Sequence, residues 1–227
     1  RHAATSLEEY KNKGYLDSAI LNTLARLGWS KGDKEVFYLN NLIEDFEITE
    51  VQKAGAIFDV SKLDYLNAQH MANLTLEQFK EEIAPFLTNI GIDLNSHKKL
   101  DKLIESMRSS GNTLSDVAVN LQCYYQDVES YNHKAIEKFI GNSTKVLSDL
   151  HTLIKSIDDW NEESLDHLLL NYRNENGLSI PKVNQPIRIA LTGSTNSPSL
   201  GMTLYLYEKE EVLKRIEKLI DLVERES

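Results

Sequence analysis

Apolar residues recur at the spacing of one helical face along most of this chain, which predicts a mainly α-helical protein. The clearest stripes lie in residues 146–157 and 212–223, where successive apolar positions are one or three residues apart. Only residues 187–191 alternate like a strand, although the proline before them also suits a short helix. Residues 173–185 are rich in Asn, Gly and Pro and are predicted to be a linker. The two stripes consist of Val146, Leu147, Leu150, Leu153, Ile154 and Ile157, and of Val212, Leu213, Ile216, Leu219, Ile220 and Val223.

Helix starts are marked by polar caps. Thr75–Gln78 has the form of a capping box, and the helix that follows it is predicted to end at Pro85. Asp59 is predicted to cap a helix over residues 60–71. Ser197-Pro198 is predicted to be an N-cap followed by proline in the first helical position, where the missing N–H is not needed.

Composition limits the class of protein. The 227 residues contain only 10 Gly and 4 Pro, which fits a helical chain of one large domain or two to three small ones. Cys123 is the only cysteine, so no intrachain disulfide forms, and no apolar run is long enough to span a bilayer. We therefore expect a cytoplasmic protein without membrane contact. The net charge of −10 argues against generic binding to DNA or RNA, which depends on many cations.

No constellation of residues predicts acid–base or metal chemistry. Asp158-Asp159 is interpreted as a polar linker or cap, and no histidine has a His or Cys partner at zinc-ligand spacing. We therefore predict no metal site. On residues alone, a helical structural or protein-interaction module without RNA binding is a full alternative.

Four separated segments carry a family resemblance. Arg1–Ser6 (RHAATS) is similar to the end of the ATP-contacting KMSKR-type loop, so that Arg1 would be its last residue. Leu21–Ser30 (LNTLARLGWS), Phe58–Asn67 (FDVSKLDYLN) and Pro186–Leu200 (PIRIALTGSTNSPSL) follow at the expected places. Together they resemble the C-terminal part of bacterial-type glutamyl-tRNA synthetase, a class I aminoacyl-tRNA synthetase, over nearly the whole chain.

The resemblance implies a stem-contact domain followed by all-α anticodon-binding domains, and it favours the helical reading of residues 187–191. It implies a stem-contact region at 1–70, a helix bundle at 71–140 and a C-terminal anticodon-binding domain at 141–227. A single-stranded loop is read by stacking and by a few arginines, which reduces the objection from the acidic net charge.

The resemblance also implies site residues. Arg188, Ser197 and Leu200 stand at positions that contact anticodon bases in the family. A further family arginine is replaced here by Ser110, and Arg108, two residues earlier, is the candidate substitute. Lys62 and Asn67 are candidate stem contacts.

The implied function is the tRNA-binding portion of glutamate–tRNA ligase, whose full-length form joins glutamate to tRNA(Glu) with ATP and Mg²⁺. The fragment itself is predicted to be inactive, since the family's His-Ile-Gly-His signature is absent. It is also predicted to need no cofactor and to be monomeric. The change at Ser110 leaves open a relaxed-specificity enzyme that also charges tRNA(Gln).

Overall fold

The structure, a computed structural model, describes residues 6–52, 55, 57–141 and 143–226. Helices dominate it and no strand forms within these ranges, so the predicted mainly α fold is confirmed. Short 3₁₀ turns lie at Ile48–Glu50, Leu94–Ser96 and Gln122–Tyr124. The helices are α1 (Leu7–Asn12), α2 (Asp17–Ala25), α3 (Leu39–Asp45), α4 (Val60–Ala72), α5 (Leu76–Asn89), α6 (Leu100–Met107), α7 (Leu114–Leu121), α8 (His133–Phe139), α9 (Lys145–Ser156), α10 (Glu162–Glu175), α11 (Ile180–Thr192), α12 (Leu200–Leu206) and α13 (Lys209–Glu226).

The chain forms two compact units. The first comprises residues 1–96 and 107–121, and the second comprises residues 97–106 and 122–227. The predicted assignment of residues 1–70, 71–140 and 141–227 to stem contact, bundle and anticodon reading concerns function, and it remains a prediction.

In the first unit α2 packs on α4, and α5 packs on α7. The buried side chain of Asn22 on α2 joins three segments, because its Oδ1 accepts from Phe37 N at 2.9 Å and its Nδ2 donates to Glu35 O at 3.1 Å. The same oxygen lies 3.0 Å from His70 Nε2 of α4. Since the amide oxygen is an acceptor, the imidazole N–H must be on Nε2, and Nδ1 is buried without a partner.

This arrangement predicts a loss of stability in mild acid. Burial lowers the pKa of His70, so between the unfolded pKa of about 6.5 and the folded pKa the unfolded chain binds more protons. The free energy of unfolding should therefore fall as the pH drops through this window. We expect His70→Gln, whose Nε2 still donates to Asn22, to reduce this slope in urea unfolding, and the exposed control His167→Gln to leave it unchanged. Equal slopes in all three proteins would contradict the prediction.

In the second unit α13 packs along α9 and α11, and α12 packs on α10 and α11. The apolar stripes predicted in α9 and α13 supply Leu147, Leu150, Ile154, Ile216 and Leu219 to its core. Arg215 of α13 lies within the same buried face. This packing fixes the position of α11, which carries Arg188.

Three predicted boundaries were wrong. The helix α5 continues through Pro85 to Asn89, and Pro85 is exposed, so water can bond the backbone carbonyl that proline leaves free. The predicted linker at 173–185 belongs largely to α10 and α11, and residues 187–191 are helical as the resemblance favoured. The N-cap of α12 is Ser199 rather than Ser197. The caps Asp59 and Thr75 are confirmed.

Candidate functional site

The site is built around Arg188, which lies on α11 one turn before the helix ends. Its Nε donates to Ser197 Oγ at 2.7 Å, and its Nη2 donates to the carbonyl oxygen of Pro198 at 3.1 Å. The structure therefore brings together Arg188 and Ser197, two residues that the sequence predicted for one site. Both side chains are half-buried.

A tight turn after α11 makes this contact possible. Gly193 ends the helix at φ +71°, and a Cβ there would lie 2.6 Å from Ser130 O. The Thr192 side chain then bonds the next residue, since its Oγ1 accepts from Ser194 N at 3.2 Å. The left-handed glycine turns the chain back along α11, so that residues 197 and 198 meet the Arg188 side chain.

The bonds divide the Arg188 guanidinium into an occupied and an unoccupied edge. Nε and Nη2 lie on one edge, and both are bonded to the 197–198 turn. Within the part of the chain that the structure describes, no acceptor is bonded to Nη1. The end edge, where one N–H of Nη1 runs parallel to one of Nη2, can therefore donate to two acceptors of a ligand at once.

Burial lowers the pKa of Arg188, with a small opposing influence from Tyr124. The side chain nevertheless stays cationic at neutral pH, because a guanidinium is not deprotonated in proteins. A partly desolvated cation makes stronger hydrogen bonds than one in bulk water. The site thus presents a charged, oriented pair of donors.

Leu200 requires a correction. It was predicted to contact an anticodon base, but as the first residue of α12 it is only 2% exposed. In this conformation it is a core residue at the start of α12.

Arg108 also requires a correction. It was the candidate replacement for the arginine missing at Ser110, but its Nη2 donates to the carbonyl oxygens of Met71 and Leu74, both at 2.9 Å. It also lies over the Phe79 ring at 5.6 Å. The guanidinium caps the C-terminus of α4, and these hydrogen bonds all lie within the first unit.

The two candidate stem contacts differ. Lys62 is partly exposed, and its Nζ lies 3.5 Å from Glu35 Oε1. Such a surface ion pair is weak and breaks at little cost. Asn67 is fully buried, and its amide bonds Leu16 N, Gly14 O and Asn112 O. Its predicted role as a stem contact is corrected to a structural one, whereas Lys62 stays a candidate. Arg1 lies outside the described residues.

Two other features, a metal-binding cluster and a membrane-spanning helix, do not occur among the described residues. In the ranges given above, no group of three or more His, Cys, Asp or Glu side chains is arranged to hold a metal ion. None of the helices described there has the length and apolarity needed to cross a membrane.

Sequence reasoning missed two residues of the second unit. Thr203 is fully buried on α12 and contacts Ser197, and Arg215 is buried on α13. A signal for Arg215 was present, because it falls three residues after Val212 and four before Leu219, on the apolar stripe. No comparable signal marks Thr203, whose partner Ser197 reaches it only through the turn before α12.

The helical architecture, with an arginine held near the end of α11, fits a known class, the anticodon-binding domains. The family described as "Anticodon binding domain" matches residues 78–220, and the chain belongs to this family. A second family, "tRNA synthetases class I (E and Q), catalytic domain", matches residues 1–65.

The homologues of the chain are glutamate–tRNA ligases. The ligase of Thermodesulfovibrio yellowstonii is 37% identical over 97% of this chain and 49% of its own length. A second ligase, from Halorhodospira halophila, is 33% identical over 95% of this chain and 46% of its own length. The chain thus spans about half the length of the curated relatives it matches.

Two solved structures share the fold of this chain. The crystal structure of a glutamate tRNA ligase from Elizabethkingia meningosepticum, in complex with its amino acid, superimposes with a TM-score of 0.83 at 27% identity, covering 94% of this chain and 43% of that one. The glutamate–tRNA synthetase of Elizabethkingia anophelis gives 0.80 at 28% identity, covering 93% and 42%. The resemblance inferred from the motifs is confirmed.

Proposed function

We propose that this chain is the tRNA-binding part of a glutamate–tRNA ligase and that Arg188 contacts an anticodon base of tRNA(Glu). The observation that carries the proposal is the divided guanidinium. One edge is bonded to the 197–198 turn, and the end edge is left to donate to two acceptors. Base edges in single-stranded RNA present such pairs of acceptors, and a side chain already held in place loses less entropy on binding.

The charge distribution supports base contacts over backbone contacts. Several basic side chains of the second unit already donate to main-chain carbonyls. Lys99 Nζ lies 2.8 Å from Tyr205 O, Lys209 Nζ 2.6 Å from Ile157 O, and Lys218 Nζ 2.9 Å from Val128 O. The net charge of −10 also works against binding that depends on neutralising many phosphates. Affinity should therefore depend on specific contacts, with a shallow dependence on salt.

The activity of the longer protein is part of the same proposal. The full-length enzyme would join glutamate to tRNA(Glu) with ATP and Mg²⁺, in the cytoplasm and as a monomer. The Mg²⁺ would bind with ATP in the catalytic part of the longer protein. The role of this chain is to bind the tRNA and orient it.

One observation favours a second candidate, an enzyme that also charges tRNA(Gln). Arg108 is bonded to the end of α4, so no arginine takes the family position at Ser110. A site without that guanidinium has one fewer donor with which to discriminate between anticodons. Titration with tRNA(Gln) beside tRNA(Glu) distinguishes the two.

The test is the affinity of Arg188 variants for tRNA(Glu). We expect Arg188→Ala to weaken binding by about 1 to 3 kcal/mol, the range for a bidentate base contact. Arg188→Lys should lose most of this, since lysine keeps the charge but not the planar fork. The loss should disappear with a tRNA whose contacted anticodon base is changed.

Arg225→Ala is the matched control, because Arg225 is an exposed arginine of the same unit, near the end of α13. It should bind tRNA as the unmodified chain does. An unchanged affinity of Arg188→Ala, or equal losses in both variants, would reject the anticodon role.

A further inference from the structure

A hydrogen-bonded relay lies behind the Arg188 contact. Ser197 Oγ is 2.9 Å from Thr203 Oγ1, and Thr203 Oγ1 is 2.9 Å from the carbonyl oxygen of Ser199. An arginine N–H can only donate, so Ser197 Oγ must accept from Arg188 Nε. The arrangement that uses the shortest contacts has Ser197 donating to Thr203, and Thr203 donating to Ser199 O.

Thr203 is fully buried, whereas Ser197 and Arg188 are half-buried. The contacts of the Thr203 hydroxyl with Ser197 Oγ and Ser199 O, at 2.9 Å each, are shorter than its contact with Pro198 O at 3.5 Å, so they favour one orientation, which in turn orients the serine. Without it, the further partner of the Ser197 hydroxyl among the described residues is the Pro198 carbonyl, at 3.2 Å. The serine would then rotate more freely, and the Nε bond would lose its fixed acceptor.

From this geometry we infer that Thr203 is a positioning residue for Arg188: its hydroxyl holds Ser197 so that the free edge of the guanidinium faces the tRNA. The inference rests on the proposed anticodon role of Arg188. Thr203 itself would not contact a nucleotide. It acts by reducing the number of orientations that the Arg188 side chain samples before binding.

The Thr203 hydroxyl can be removed without breaking the backbone hydrogen bonds around it. Thr203 N donates to Ser199 O at 2.9 Å as part of α12, so this carbonyl stays bonded when the side-chain hydroxyl is removed. The N-cap of α12 is provided by Ser199 Oγ, which accepts from Met202 N at 3.2 Å. Thr203→Val keeps the shape of the side chain and both backbone features, and Thr203→Ser keeps the hydroxyl.

The test is a double-mutant cycle of Thr203→Val and Arg188→Ala, read as affinity for tRNA(Glu), with the melting temperature of each variant recorded. We expect Thr203→Val to weaken binding about three- to tenfold, as befits releasing one flexible side chain. In the Arg188→Ala background the same change should have no effect. Thr203→Ser should restore the affinity, which a purely structural role of the side chain's shape would not predict.

The outcomes separate the two proposals. If Arg188→Ala weakens binding but Thr203→Val does not, or if Thr203→Val costs the same with and without Arg188, the positioning role is overturned. If Arg188→Ala leaves the affinity unchanged, the anticodon role itself fails and the positioning role fails with it.

Discussion

Arg215→Met is expected to lower the free energy of unfolding by about 3 to 5 kcal/mol, the cost of removing one partner from a buried, charged network. Arg215 is 4% exposed. Its Nη1 donates to Cys123 O at 2.9 Å and to Leu191 O at 2.6 Å, and its Nη2 donates to Gln126 O at 2.8 Å. Methionine would fill much of the volume but would remove the Arg215 donors from all three carbonyls.

The remaining contacts of Arg215 add to the expected loss. Its Nε donates to Glu211 Oε1 at 2.6 Å, and its guanidinium lies over the Tyr207 ring at 4.7 Å. Tyr207 OH in turn donates to Leu191 O at 3.0 Å, so that carbonyl keeps one partner after the substitution. Cys123 O lies 3.0 Å from the same hydroxyl, whose single hydrogen can turn to it only by leaving Leu191 O, and Gln126 O loses its Arg215 donor. Because the tyrosine can replace part of the lost hydrogen bonding, we expect the loss in free energy of unfolding to stay within about 3 to 5 kcal/mol.

Urea unfolding followed by circular dichroism measures the change. Arg225→Met is the matched control on α13, since Arg225 is exposed in the last turn of the same helix. It should change the free energy of unfolding by less than about 0.5 kcal/mol, as surface substitutions do. A similar small loss for both variants would mean that the buried network contributes little to folding.

Arg215 also illustrates what the sequence can and cannot predict. The apolar stripe of α13 predicts the helix and its buried face correctly, because periodicity depends only on local geometry. The pattern alone does not predict a buried cation on that stripe, since an arginine is buried only where other segments bring acceptors to it. Those acceptors come from residues 123, 126 and 191, whose approach is decided by tertiary packing.

The same distinction separates the site predictions. Arg188 and Ser197 are nine residues apart on one helix–turn segment, so a local motif was sufficient to predict that they act together. Arg108 depends on contacts with residues 71 and 74, and no local pattern distinguishes its capping role from a free cation. Leu200 was a candidate contact through the family resemblance, yet its side chain is buried at the start of α12. Exposure is a tertiary property, and motif matching does not supply it.

Asn67→Leu is expected to destabilise the first unit by about 1 to 3 kcal/mol, because it leaves the buried Leu16 N–H without its acceptor and removes a donor from the Asn112 carbonyl. Asn67 Oδ1 accepts from Leu16 N at 2.8 Å, at the start of α2, where no side chain of that helix caps the backbone. Asn67 Nδ2 donates to Asn112 O at 2.7 Å and reaches Gly14 O at 3.4 Å. Leucine has a similar size and a better helix propensity, so the loss would arise from the hydrogen bonds.

The measurement is again the free energy of unfolding in urea, compared with Asn89→Leu, which makes the same chemical change at an exposed residue at the end of α5. We expect the control to stay within about 0.5 kcal/mol of the unmodified chain. This comparison also tests the corrected role of Asn67. If Asn67→Leu folded as stably as the control but bound tRNA more weakly, the amide would act at the stem as first predicted, and its internal hydrogen bonds would be dispensable for folding.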